Sequence, residues 1–174
     1  LHLCDRRQRQ MCIRDRPYYI TSPVIMKLLE DRLPITSITV MVQKEAAERL
    51  CAQPGTRECG AVSAAVQYYA EPEILFEVSR GSFMPAPNVD SAVIQLRIRK
   101  EPPVDVHDEA LFFRVIRAAF AQRRKTAVNS ISNTLHMSKQ QVTDAFEQAG
   151  VRANSRAEAL TLPEFAAVVN QLAD

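Results

Sequence analysis

Ile35-Thr36-Ser37-Ile38-Thr39-Val40-Met41-Val42 is β-branched at almost every position and nearly continuous in its strand-forming character. Such a run predicts a strand buried on both faces, as in a parallel sheet. Upstream, Ser22-Pro23 suits a helix start, because Ser caps the free N–H groups and Pro lacks the N–H that would go unpaired there. Ile25, Leu28 and Leu29 then share one helical face, and Pro34 ends the run. Downstream, Lys44 to Ala52 reads as a short helix, Pro54-Gly55 breaks it, and Gly60 to Tyr69 reads as helix again. The Tyr68-Tyr69 pair reads as helix packing, with one ring half exposed. Glu73 to Val78 is a short strand. From Ala92 to Arg99 the alternation is plain, with Ala92, Ile94, Leu96 and Ile98 on one side and Val93, Gln95, Arg97 and Arg99 on the other. Strands and helices in this order predict an α/β sheet ending in an antiparallel pair.

Glu101-Pro102-Pro103 marks a boundary, and everything beyond it reads as helical. Phe112, Val115, Ile116, Ala119 and Phe120 follow the i, i+3, i+4 pattern of an amphipathic helix. Ser138 and Gln141 have capping-box spacing ahead of Val142, Ala145 and Phe146, with Gly150 as the stop. Thr161-Leu162-Pro163-Glu164 opens a last helix with Leu162, Phe165, Val169 and Leu172 inward. The expected divisions are a leader at 1–16, an α/β domain at 17–103 and a helical domain at 104–174.

Bulk properties set limits. The 174 residues are 47% hydrophobic and 24% charged, ordinary for a globular protein, and no apolar run reaches the ~20 residues of a membrane span. The four cysteines (4, 12, 51 and 59) lack metal-ligand spacing and read as free thiols rather than as disulfides or a metal site. Residues 1–16 hold five arginines and two aspartates, a net +3, while the remainder carries 17 basic and 18 acidic residues. Any case for nucleic acid therefore rests on local clustering, not on overall basicity. The leader has no clean period of either kind. It is a natural basic tail or a non-native junction, and the abrupt change at Pro17 favours the junction.

Two clusters stand out by their chemistry. In Phe83-Met84-Pro85-Ala86-Pro87 two prolines stiffen the chain beside an aromatic. A ring presented in this way can stack on a base, worth ~1–3 kcal/mol, or it can plug the core beneath a turn. Arg123-Arg124-Lys125 follows the amphipathic helix and adds to Arg114 and Arg117. Adjacent cations repel unless solvent, a helix C-terminus or an anion relieves them. A solvated face and a phosphate-docking surface both remain open on residues alone.

Three stretches in fixed order resemble one family. They are Pro17-Tyr18-Tyr19, then Gly81-Ser82-Phe83-Met84-Pro85-Ala86-Pro87-Asn88-Val89-Asp90-Ser91, then Phe120-Ala121-Gln122-Arg123-Arg124-Lys125-Thr126. Together they resemble the ribosomal RNA small-subunit adenine dimethyltransferases, over Pro17 to about Leu172. The resemblance implies the C-terminal half of a Rossmann-like S-adenosylmethionine-dependent methyltransferase domain followed by a small all-α domain. It implies methyl transfer to two adjacent adenines of small-subunit ribosomal RNA in cytoplasmic ribosome biogenesis, by a monomer that uses no metal and no membrane.

The resemblance also assigns roles. An adenine amine is a poor nucleophile because its lone pair is delocalised, so the family places hydrogen-bond acceptors and an aromatic around it. The family tetrapeptide Asn-Leu-Pro-Tyr falls on Asp15-Arg16-Pro17-Tyr18, where Pro17 and Tyr18 match and Asp15 stands in the Asn position. Asp15 would also be the remaining cofactor-binding residue. Phe83 would hold the target base. Arg123, Arg124, Lys125 and Arg156 would dock on RNA backbone, giving affinity rather than sequence reading.

The four glycines (55, 60, 81 and 150) form no phosphate- or cofactor-cradling loop. The chain is therefore expected to bind S-adenosylmethionine weakly and to be inactive by itself. Three other readings compete with a dimethyltransferase. One is a methyltransferase-derived RNA-binding module without catalysis. Another is a large-subunit RNA methyltransferase of the erythromycin-resistance type. The third is a helix-turn-helix DNA-binding protein built on Ser138 to Leu160.

Overall fold

The computed structural model describes residues 10–13 and 21–173. Asp15, Pro17, Tyr18 and most of the expected leader lie outside them. The chain runs β1 (Gln10–Ile13), α1 (Thr21–Glu30), β2 (Ser37–Gln43), α2 (Lys44–Cys51), α3 (Ala61–Tyr69), β3 (Ala70–Val78), β4 (Ser91–Ile98), α4 (Glu109–Ala121), α5 (Ala127–Leu135), α6 (Lys139–Gln148) and α7 (Leu162–Ala173). Short 3₁₀ turns stand at Arg80–Ser82 and Ala157–Ala159. Among the described residues no helix is long and apolar enough to cross a membrane. The architecture is mixed α/β. It divides into two compact units, one of Leu1–Cys51 with Ala65–Glu101, the other of Ala52–Ala64 with Pro102–Asp174. Residues 52–64, counted with the α/β domain in the sequence reading, thus fall in the second unit.

The first unit is built on a four-stranded sheet of order β1-β2-β4-β3. β1 pairs parallel with β2, and β4 runs antiparallel to both β2 and β3. Residues 1–16, read as a non-native or disordered leader, therefore contribute a strand at Gln10–Ile13. Four residues are too few to show alternation, and pairing needs only backbone donors and acceptors along the free side of β2. The face carrying Ile38, Val40, Val42, Ala92, Ile94 and Leu96 is fully buried. The opposite face of β2, with Thr39 and Met41, is half-buried. β2 is thus not sealed on both sides as the sequence suggested, because its neighbour β4 is antiparallel and alternates. α2 packs on β2, β3 and β4 and buries Ala47 and Leu50. α1 begins at Thr21, so Pro23 stands a little inside the helix rather than at its first position. Ile25 and Leu29 are the residues it buries.

β3 lies at the sheet's border and pairs only with β4 among the described residues. A register shift between Ile74 and Phe76 leaves Leu75 as an extra residue, a β-bulge. Glu71 and Glu73 on β3 pair with Arg99 and Arg97 at 2.7 and 2.8 Å. Tyr68 is buried and meets the half-buried Tyr69 edge-on, with ring centroids 5.1 Å apart.

The second unit is dominated by α4 to α7, in which each helix packs on the next and α7 returns to α4. Phe112, Ile116, Ile131, Val142, Phe146 and Phe165 fill its core. Each such side chain is worth about 1.5–3 kcal/mol of burial. The helix ends are set by local chemistry. Asp108 Oδ1 accepts the Leu111 N–H at 2.9 Å, and Ser138 Oγ accepts that of Gln141 at 3.1 Å. Thr161 and Glu164 cap reciprocally, with Thr161 N–H donating to Glu164 Oε2 at 2.8 Å and Glu164 N–H to Thr161 Oγ1 at 3.4 Å. α6 stops at Gly150, whose φ of +70° lets Val151 N–H reach Phe146 O at 2.8 Å. Ser138 to Leu160 therefore holds one α-helix and a 3₁₀ turn, and the helix-turn-helix reading fails for want of a second α-helix.

Candidate functional site

The loop from Ser79 to Ser91 carries Phe83. Its first turn is closed by Ser79, whose Oγ accepts the Gly81 N–H at 3.3 Å and whose carbonyl accepts the Ser82 N–H at 3.0 Å. Asp90 ties the loop's end to its beginning, since its Oδ1 accepts the Arg80 N–H at 2.9 Å. The Asp90 carbonyl also accepts the Lys44 N–H at 3.0 Å and so anchors the loop to the start of α2. Arg80 Nη1 donates to Asn88 O at 3.4 Å. With Pro85 and Pro87 between these ties, the loop is braced at both ends and stiff in the middle. Phe83 has extended backbone (φ −119°, ψ 150°) and is half-buried. It is neither a sealed core plug nor a free ring.

Beside the loop lies an open cleft of about 390 Å³, lined by Gln43, Lys44, Glu48, Arg80, Asn88 and Val89 among others. Lys44 Nζ meets the Glu77 carboxylate at 2.9 Å. The hydrogen bond and the charge of Glu77 raise the Lys44 pKa, so Lys44 stays a cation here. The bracing by Asp90 and Arg80 was not foreseen from the sequence. No local signal marks it, because the tie spans ten residues and needs both strand ends in place.

The second locus is the turn between α4 and α5. Gln122 to Lys125 form a turn closed by Lys125 N–H donating to Gln122 O at 2.9 Å. Arg123, Arg124 and Lys125 are all exposed, and none makes an ion pair among the described residues. The turn is held from beneath by Ser130, which is fully buried. Its Oγ donates to Ala118 O at 2.6 Å and accepts the Gln122 N–H at 3.1 Å. Thr126 caps α5, with its Oγ1 accepting the Asn129 N–H at 3.4 Å. The next N–H, that of Ala127, donates to Ser155 O at 2.8 Å. This bond brings the segment bearing Arg156 against the start of α5. Arg156 is itself 58% exposed and only loosely paired with Glu158 at 3.9 Å.

The electrostatics of this turn differ from the helix-C-terminus reading of the sequence. The cations follow the negative end of α4 but also precede the positive end of α5, so the two macrodipoles offset each other. Three exposed cations then stand on the turn without an ion pair among the described residues, and the segment bearing Arg156 is bonded to the start of α5. Exposed Arg114 and Arg117 on α4 extend the positive stripe toward the turn. Solvent, counter-ions or a bound anion relieve the repulsion on such a surface.

Of the residues singled out in the sequence, Arg123, Arg124 and Lys125 thus share one turn, and the segment bearing Arg156 is bonded to the start of α5. Phe83 stands on its own braced loop in the other unit. Asp15, Pro17 and Tyr18 are outside the described residues. Cys51 and Cys59 are free, and burial pushes both thiols up to about 11, which leaves them protonated near neutral pH. No group of acidic, His and Cys side chains suited to a metal occurs among the described residues.

Comparison with known proteins adds the following. The profile of the family described as "Ribosomal RNA adenine dimethylase" matches residues 3–174. The chain is 52% identical over 165 residues to the ribosomal RNA small subunit methyltransferase A of Geobacillus sp. (strain WCH70), covering 93% of this chain and 57% of that protein. It is 50% identical over 166 residues to the same-named protein of Geobacillus thermodenitrificans (strain NG80-2), covering 94% and 57%. The chain thus spans a little over half the length of the curated relatives it matches. Among solved structures, a dimethyladenosine transferase from Plasmodium falciparum superposes with a TM-score of 0.68 at 22% identity, over 88% of this chain and 63% of that one. The 23S rRNA methyltransferase ErmE superposes at 0.65, also at 22% identity, over 95% and 64%. These two show a shared fold.

Proposed function

The chain belongs to the ribosomal RNA adenine dimethylase family, and from that membership we propose that it engages small-subunit ribosomal RNA within an enzyme that methylates the exocyclic amines of two adjacent adenines. In this reading the first unit is the C-terminal half of a Rossmann-like methyltransferase domain, and α4 to α7 form a helical RNA-docking domain. The observation that carries the proposal is the exposed turn Arg123-Arg124-Lys125, unpaired among the described residues and joined by Arg156 at the start of α5. Phosphate groups answer the charge of the turn.

The roles divide by chemistry. The basic turn binds backbone and sets orientation without reading sequence. Phe83 offers a ring on which a base displaced from its stack can rest. Asp15 and the carbonyl of Arg16 would accept the amine hydrogens, and Pro17 and Tyr18 would hold the base from its other side. The methyl donor that the family implies is S-adenosylmethionine, which supplies an activated methyl group when bound. The described residues do not fit that group. Gly55 and Gly150 serve turns at positive φ, and Gly81 stands in the loop closed by Ser79. No step is therefore assigned through the cofactor. Relatives at about 50% identity carry the small-subunit name, which favours that substrate over the large-subunit RNA named for ErmE. The proposed setting is cytoplasmic ribosome biogenesis, with the protein monomeric.

A salt titration of affinity for a small-subunit ribosomal RNA hairpin tests the docking role. Replacing Arg123, Arg124 and Lys125 by Ala should flatten the slope of log affinity against log salt by up to ~0.9 per lost phosphate contact. Equal slopes for the wild-type chain and the triple variant would leave the turn a solvated face and overturn the proposal.

A further inference from the structure

Met84 is 99% exposed, whereas Phe76, the next most exposed of the large apolar residues, stands at 57% on a strand. A lone exposed apolar residue is normal on a protein surface. Met84 differs in where it is mounted. It follows Phe83 on the loop braced by Asp90, Arg80 and Ser79, and Pro85 stiffens the next position. The extended backbone at Phe83 sends successive side chains to opposite sides of the chain. Phe83 accordingly turns inward, where it is half-buried, and Met84 turns out to solvent.

We propose that Met84 is a wedge that packs on the base next to the engaged adenine, filling the stacking position that the displaced base leaves. Because Phe83 and Met84 point to opposite sides of the chain, the loop can lie between a base held on Phe83 and the stack that base has left, with Met84 toward the vacated position. Apolar side chains, Met among them, are suited to enter a base step. The polarizable thioether makes favourable contact with aromatic faces. Because the loop is already rigid, presenting the side chain requires little further ordering. The inference makes Met84 a specificity-determining residue, one that senses whether a second base adjoins the first. It rests on the proposed role of Phe83 in holding an adenine.

The test uses the 174-residue chain and a hairpin with two adjacent adenines, one replaced in turn by an abasic nucleotide or by fluorescent 2-aminopurine. Met84→Ala should weaken binding roughly tenfold, the scale of exposing a buried Met side chain. Met84→Leu should restore most of that loss. Removing the neighbouring base should weaken the wild type but leave Met84→Ala unaffected, since the partner of the wedge is already gone. Melting temperatures should be equal, because the side chain touches solvent. Binding by Met84→Ala equal to wild type, or an abasic penalty that persists in the variant, would overturn the inference. Phe83→Ala separates the two readings. If it alters the 2-aminopurine signal while Met84→Ala behaves as wild type, only the wedge falls. If neither variant changes engagement of the adenine, or the wild-type chain does not bind the hairpin, the role of Phe83 falls and the wedge with it.

Discussion

The Phe83 loop and the Arg123 turn are both short connections fixed by a polar side chain, yet they are built for opposite partners. The loop is braced at its ends by Asp90 and exposes apolar atoms at its tip. The turn is braced from beneath by Ser130 and exposes only charge. An apolar tip gains from contact at van der Waals distance and is indifferent to salt. A cationic turn acts over a Debye length of about 10 Å and weakens as salt rises. In the proposed reading, affinity and discrimination stand on separate units and can be altered one at a time.

The sharpest way to break this division is to cross the two variants with salt. If three phosphate contacts depend on the turn, the wild type should lose roughly 40-fold more affinity than the triple Ala variant between about 50 and about 200 mM salt. Phe83→Ala should keep the full wild-type slope. A change of slope in Phe83→Ala would show that the loop, too, binds through charge. Next in size is Ser130→Ala. It leaves the Gln122 N–H and the Ala118 carbonyl without their shared hydroxyl, at a cost of about 1–3 kcal/mol. Denaturant unfolding should register that loss, and Ser130→Thr, which keeps the hydroxyl, should recover part of it. Unchanged stability in the Ala variant would mean that water takes the place of the hydroxyl. The smallest effect is expected from Asp90→Ala, which frees an exposed loop bond worth about 1 kcal/mol. Its signature should be faster amide exchange at Arg80 with an unaltered RNA salt slope. Exchange as slow as in the wild type would mean that the prolines alone hold the loop.

Much of this molecule could be read in its sequence, and the exceptions have physical causes. The alternation of β4, the Ser138 cap of α6 and the helix start at Thr161 to Glu164 are local signals that the structure carries, although only the Ser138 half of the α6 capping box forms. The sequence reads β3 as Glu73 to Val78, yet the strand begins at Ala70 and includes Pro72. A proline is tolerated there because β3 is bonded on one side only. α5, with the sequence AVNSISNTL, is rich in weak helix formers. It is secured by the Thr126 cap and by the buried Ser130, neither of which shows in its pattern. At the candidate site, Phe83 and the basic run were visible as residue types beside prolines or beside one another. The bonding of the segment before Arg156 to the start of α5 was not, since it depends on one bond between Ala127 and Ser155. Asp90 and Ser130 were invisible for the same reason, because each works through a partner ten or twelve residues away.

The irregular strand β3 has a consequence for how this protein behaves in a crowd. Its outer side offers backbone hydrogen-bond groups to any extended chain that arrives, and Ile74, Leu75 and Phe76 are exposed along it. A straight strand of that composition would be a template on which one copy after another could assemble. The extra residue at Leu75 puts the donors and acceptors out of step, which disfavours pairing with a second copy. Among the described residues the sheet ends at β3, and a row that is out of step is a poor template for another.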